Sequence, residues 1–368
     1  FCQAKCPYCD FNSHVAREVD QRRWLKAYIS EIDRYAALVP HRVLTSVFFG
    51  GGTPSLMNPD VVHGVLDRIR HHWPVANSLE VTLEANPGSV DAGRFRGYAD
   101  AGVNRVSMGI QALNNADLRR LGRIHTVEEA RAAFDIARSQ FDRVSFDLIY
   151  ARQDQTLDAW KDELKQALSM AIDHLSLCQL TIERGTAFGD RYDRGLLRGL
   201  PEDDISTDMY IATQDICSTV GMEAYEVSNH AKPGAESRHN NIYWRYGDYL
   251  GIGPGAHGRV TLNGQRHATE AWSNPNKWLE RVEQGSGEKL HQRIEPRDQA
   301  SEFLMMGLRL SSGIDIHRYE ALSGSPLNPT NVSYLEDLGM LQSQSGMVWV
   351  TPSGRMVLNA VLKELLAD

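Results

Sequence analysis

The chain has 368 residues, 42% of them apolar and 23% charged, with a formal net charge of −8. That length allows one large α/β domain with an appendage, or two to three domains of ordinary globular composition. The acidic balance argues against a general nucleic-acid or anionic-membrane binder, and no apolar run approaches the length that spans a bilayer, so no integral membrane segment is expected.

The chain opens at Phe1, not Met, so it reads as a fragment whose upstream segment is not judged. Three of its five cysteines follow at once, as Cys2-x3-Cys6-x2-Cys9, while Cys178 and Cys217 stand far away. An odd count with a tight cluster fits metal ligation in a reducing compartment, hence a cytoplasmic setting, better than a disulfide framework. Three thiolates within eight residues suit a [4Fe–4S] cubane, with Cys2, Cys6 and Cys9 as ligands and one iron left open. That open iron is able to chelate the amino and carboxylate groups of S-adenosylmethionine (SAM). The spacing alone also allows a zinc site of Cys2, Cys6, Cys9 and His14.

Beyond the cysteines, Leu25, Tyr28, Ile29, Ile32 and Tyr35 recur at helical spacing, as do Leu157, Trp160, Leu164, Ala167 and Leu168. Residues 44–49 read as a buried strand ending in Gly50-Gly51-Gly52, and further strands are expected at 79–84, 105–110, 144–149, 175–182 and 223–227. Such alternation predicts an α/β fold with a parallel sheet and helical crossovers. A closed or nearly closed barrel places ligands at the carboxyl ends of its strands. Gly50, Gly51, Gly52, Thr53, Glu84, Gln111 and Asp147 all fall there. Residues 232–258 are rich in Gly, Asn, Tyr and His without a clean period, and 275–296 read as a connection. Residues 297–368 predict two helices, a strand pair around 347–350 and a last helix, a small winged-helix-like module. Its acidic surroundings favour packing over DNA binding. The expected division is 1–231, 232–296 and 297–368.

The run Phe1-Cys2-Gln3-Ala4-Lys5-Cys6-Pro7-Tyr8-Cys9-Asp10-Phe11 resembles the signature of the HemN/HemW group of radical SAM proteins. The similarity continues through Phe49-Gly50-Gly51-Gly52-Thr53-Pro54-Ser55, Glu84-Ala85-Asn86-Pro87-Gly88, Gly109-Ile110-Gln111, Leu121-Gly122-Arg123-Ile124-His125 and Asp147-Leu148-Ile149-Tyr150. It implies a partial TIM-type (β/α)6 barrel with a mostly helical C-terminal domain. It also implies a SAM pocket in which Tyr8 flanks the cluster, Gly51, Gly52 and Thr53 contact the methionyl part, and Glu84, Gln111, Arg123 and Asp147 line the same cavity. Read alone, Arg123 would be a surface charge. Asp147, inside an apolar strand, needs a partner. Two departures stand out. Relatives carry a Tyr on a first strand before the cysteines, which lies upstream of Phe1. Relatives also read Gly-Leu-Pro-Gly-Gln-Thr where this chain has Ala151-Arg152-Gln153-Asp154-Gln155-Thr156, which changes the turn chemistry beside Asp147.

Within the group the resemblance points to the heme chaperones. Oxidases carry a fourth cysteine where this chain has Phe11, and His239-Asn240-Asn241-Ile242-Tyr243-Trp244 is similar to a motif of the chaperones. The implied cargo is heme, and the implied partners are apo-acceptor proteins such as those of the respiratory chain. The rival implication is an oxygen-independent coproporphyrinogen III dehydrogenase working through a 5′-deoxyadenosyl radical. A heme needs an iron ligand and apolar faces. His239, or His257 in its Gly-rich turn, would supply an imidazole, and Tyr243, Trp244 and Tyr249 flat walls. Each His also reads as an ordinary hydrogen-bonded structural residue, and Cys178 and Cys217 as small core residues.

Overall fold

The computed structural model describes residues 1–367. After the cysteine segment and the helix Gln21–Leu38, five strands alternate with helices: β1 (Leu44–Phe49), β2 (Val75–Ala85), β3 (Arg105–Gln111), β4 (Arg143–Tyr150) and β5 (His174–Gln179). They pair in parallel in that order. Their alternation sorts side chains by face. Val81, Leu83, Val106, Met108, Val144, Phe146, Leu148, Leu175 and Leu177 join the helices in the main core. The other face carries Glu84, Ser107 and Asp147, which look into the barrel. Crossover helices start on side-chain caps: Asp91, Thr126 and Thr156 each accept a hydrogen bond from a first-turn amide.

The sheet does not continue as six parallel strands. The expected strand at 223–227 is a short antiparallel hairpin of β6 (Glu223–Ala224) and β7 (Asn229–Ala231), with β7 added antiparallel to β5. The buried Glu226 makes the turn, because its Oε1 accepts from Ser228 N (3.0 Å) and Asn229 Nδ2 (2.6 Å). The barrel is therefore a half-barrel closed on one side by a hairpin.

Residues 232–296 are more regular than their composition suggests. They hold a helix (Arg238–Trp244), a three-stranded antiparallel sheet of β8 (His257–Leu262), β9 (Gln265–Ala271) and β10 (Glu288–Arg293), and a helix (Pro275–Glu283). The β8–β9 turn is Asn263-Gly264, both at positive φ (49° and 76°), a combination that suits a two-residue hairpin. The C-terminal part has three helices before its strand pair, not two: Pro296–Gly307, Ile316–Ser323 and Pro329–Asp337. The pair β12 (Leu341–Gln344) and β13 (Met347–Val350) is joined by β11 (Ile314–Asp315). Two helices, Pro352–Met356 and Leu358–Leu365, follow. Trp24 of the first helix stacks on the fully buried Trp278 (centroids 5.4 Å, 10°) and meets Phe1 edge-on (5.2 Å), so the 232–296 region buttresses the cysteine segment.

Candidate functional site

The cysteine segment lies across the carboxyl ends of the parallel strands. Cys2 N donates to His14 O (2.9 Å) and Cys9 N to Cys6 O (3.1 Å), which folds the segment into a compact loop. Pro7 O accepts from Phe188 N (2.8 Å), and Tyr8 packs on the Phe188 ring. The three thiols are free and half-buried. With Tyr8, Gly51, Gly52, Thr53, Glu84, Gln111, Arg123 and Asp147 they line one cavity of about 930 Å³, a volume that includes the open solvent at its mouth. Every residue expected in the SAM pocket thus lines one space.

Two glycines shape its wall. Gly51 has φ +110°, and its amide donates to Glu84 Oε2 (3.0 Å). A Cβ at Gly52 would stand 2.5 Å from Phe1 O, so only glycine lets β1 pass this close to the cysteine segment. Gln111 ends β3 at φ +76°, a strained backbone that turns the chain at the cavity edge. Arg123 is no free surface charge: Nη2 donates to Gly109 O (2.8 Å) and Nη1 to Cys6 Sγ (3.4 Å).

The carboxylates face each other across the floor. Burial, and then the neighbouring Asp147, push Glu84 up to about 8. Burial pushes Asp147 up to about 6, against hydrogen bonds from Ser176 and Ser107, the latter at 3.2 Å. Together the floor suits a cationic ligand that restores both charges. Ser13, Ser107 and Ser176 were absent from the sequence reading. Strand alternation marks Ser107 and Ser176 as facing the same side as Asp147, whereas Ser13 carries no local signal.

The single-ion zinc alternative lacks a preformed site. His14 Nε2 is bonded to Asn12 Oδ1 (2.9 Å), and among the described residues no three His, Cys, Asp or Glu side chains converge on one ion. A cubane spreads its ligand irons and takes more widely spaced thiolates. Half-buried free thiols around one shared cavity fit it.

His239 lies apart from that lining. It is the second residue of the helix Arg238–Trp244, its ring stacks on Phe48 of β1 (4.0 Å, 11°), and Tyr243 meets it edge-on (4.7 Å), with Tyr249 beyond. Burial, and then Arg105, hold its imidazole down to about 3. His257 is exposed at the start of β8. Cys217 is a core residue, but Cys178, on β5, is exposed. The loop at 151–156 keeps a glycine-type backbone without glycine, Ala151 at φ 55° and Asp154 at φ 58°.

Residues 1–167 match the radical SAM superfamily and residues 294–357 the HemN C-terminal domain. Across its whole length the chain is 36% identical to the heme chaperone HemW of Escherichia coli K12, covering 96% of that protein. It is 38% identical over 320 residues to the mitochondrial radical S-adenosyl methionine domain-containing protein 1 of Mus musculus, covering 85% of this chain and 72% of that one. Among solved structures, the radical SAM coproporphyrinogen III oxidase HemN of Escherichia coli superposes with a TM-score of 0.82 at 20% identity, over 99% of this chain and 87% of that one. At that identity the likeness speaks for the fold. With 36% identity along nearly the full length of a HemW, and with both the barrel and the C-terminal part matched, the chain belongs to the HemW family of radical SAM proteins.

Proposed function

We propose that this protein is a heme chaperone that hands heme to apo-acceptors such as respiratory-chain proteins. In this reading Cys2, Cys6 and Cys9 hold a [4Fe–4S] cluster, and Tyr8, Gly51, Gly52, Thr53, Glu84, Gln111, Arg123 and Asp147 hold SAM beside it. The observation that carries the proposal is full-length identity of 36% to a relative that is itself a heme chaperone, against 20% to the oxidase. Phe11 supports it. It stands where oxidases place a cysteine, and it lines the cavity mouth with 63% of its surface exposed. An apolar ring at that rim offers a macrocycle a contact face and supplies no proton or thiolate.

The cluster, when bound, supplies an open iron for SAM and an electron source. The chain's own residues do the rest. The Gly51 amide orients Glu84, and Glu84 and Asp147 would accept hydrogen bonds from the amine and ribose of SAM. His239 is the heme-ligand candidate. Held neutral by burial, its imidazole keeps a lone pair for iron without proton competition, and Tyr243 and Tyr249 give it apolar company. The cytoplasmic setting belongs to the same proposal, since free thiols awaiting a cluster need a reducing medium.

The test is anaerobic reconstitution of the full chain, then heme titration of wild type and His239→Ala. Wild type is expected to take up iron, sulfide and heme, and the variant to bind heme at least tenfold more weakly. Equal heme affinity removes His239. Conversion of coproporphyrinogen III to protoporphyrinogen with SAM and a reductant, at a rate sustaining many turnovers, overturns the chaperone reading in favour of the dehydrogenase.

A further inference from the structure

Each of the three cysteine sulfurs has its own side-chain hydrogen-bonding partner. Thr53 Oγ1 donates to Cys2 Sγ (3.5 Å) and Arg123 Nη1 to Cys6 Sγ (3.4 Å), and Ser13 Oγ lies 3.9 Å from Cys9 Sγ. A thiolate bound to iron has no proton to give, so on cluster binding Ser13 becomes the donor of the last pair.

The setting of each side chain leaves a donor for sulfur. Thr53 stands at the N-cap of the short helix Pro54–Leu56 yet makes no capping bond there, so its hydroxyl is left for sulfur. Arg123 is pinned by Gly109 O and by Tyr8, and that anchoring aims Nη1 at Cys6 Sγ. Ser13 is buried, with 8% of its surface exposed.

We infer that Thr53, Arg123 and Ser13 are positioning residues, each aimed at a different thiolate, with Tyr8 a second partner of Cys6, and that they set the potential of the cluster to a less reducing value. The inference rests on the cluster reading given above. One-electron reduction makes the cluster more negative. Donors and a guanidinium aimed at its ligand sulfurs stabilise that state, which raises the midpoint. A cluster with a higher midpoint is a weaker reductant towards the sulfonium of SAM. The three donors therefore favour retention of SAM over its reductive cleavage. Arg123 contributes most, because it brings a full charge into a partly buried site.

The experiment is an EPR-monitored redox titration of the reconstituted full chain without SAM, so that loss of SAM contacts does not enter. Wild type is compared with Ser13→Ala, Thr53→Val, Arg123→Gln and Arg123→Lys, with iron and sulfide measured in the same samples. The midpoint is expected to move negative in the first three variants, furthest in Arg123→Gln, and to recover in part in Arg123→Lys. Wild-type iron and sulfide with unmoved or more positive midpoints overturns the inference while leaving the cluster in place. Wild-type protein without iron and sulfide overturns the cluster reading and this inference with it. If Arg123→Gln does not fold, the two hydroxyl variants still decide the sign.

Discussion

Glu84 is the residue whose chemistry depends most on what occupies the cavity. Alone in the folded chain it stays protonated to about pH 8, because burial and then Asp147 oppose its charge. Its folded value lies above its unfolded one. Its contribution to stability is therefore fully present below about pH 4.5 and is lost as pH rises towards 8. Melting curves of the cluster-free protein from pH 5 to 9 are expected to show a steeper fall for wild type than for Glu84→Gln. SAM is a sulfonium cation, and its iron-chelating amine would present N–H donors that an ionised Glu84 accepts best, so binding to the reconstituted protein should tighten from pH 6.5 to 8.5, and Glu84→Gln should flatten that profile. A wild-type affinity that is flat across this range removes Glu84 as the partner of that amine. Ala151 offers a second test at this scale. Its φ of 55° costs a residue with a Cβ roughly 1–2 kcal/mol, partly offset by the entropy glycine loses on folding. Ala151→Gly is expected to stabilise by about 0.5–1 kcal/mol in urea denaturation.

At the scale of elements, the loop after β4 shows how a turn survives the loss of its glycines. Arg152, 3% exposed, sends Nη2 to Glu163 Oε2 (2.5 Å), Nε to Asp117 Oδ2 (3.1 Å) and Nη1 to Ile149 O (2.6 Å). Glu163 also accepts from Leu113 N (2.6 Å) and Gln155 Nε2 (3.2 Å), while Asp154 N bonds to Gly199 O (2.6 Å). This network holds the left-handed positions in place beside Asp147. Arg152→Ala strands Glu163 without its cation and should cost about 3 kcal/mol in denaturation experiments. A loss below about 1 kcal/mol would mean the loop is held by its backbone alone. The hairpin turns were more readable than the strands they join. Asn263-Gly264 is a hairpin signal in the sequence, and Ser345-Gly346, at φ 53° and 81°, plays the same part between β12 and β13. The strands of 232–296 escaped notice because their burial comes from the helix Gln21–Leu38, as in the bond from Tyr35 OH to Thr269 Oγ1 (3.4 Å).

Across the whole molecule, the cysteine segment depends on distant support. Trp278 packs on Trp24, Trp24 on Phe1, and the Phe1 backbone lies against Gly52. Trp278→Ala is expected to destabilise by about 3–5 kcal/mol in thermal or chemical denaturation, and to lower iron incorporation on reconstitution. Full iron content in a variant so destabilised would show that the cysteine loop organises itself. The C-terminal part is tied in by Glu302, which receives Arg259 (2.8 Å) and Tyr246 OH (2.8 Å). It has its own core around Leu304, Leu308 and Leu341.

What the sequence determined by itself was whatever is written in short-range pattern. The thiols of Cys2, Cys6 and Cys9, the glycines after β1 and the strand carboxylate Asp147 follow from spacing and apolar pattern, because those depend on a few consecutive residues, whereas Glu84 at its strand end was placed in the pocket by the resemblance. Tertiary structure alone decided the rest. Arg123 reaches Cys6 across 117 residues, Cys178 opens to solvent instead of joining the core, His239 turns onto Phe48 rather than into the cysteine cavity, and the sixth strand becomes a hairpin around Glu226. Each of these is a choice among several locally permitted arrangements. Only the packing of elements far apart in the chain, with the burial and charge that packing brings, selects one.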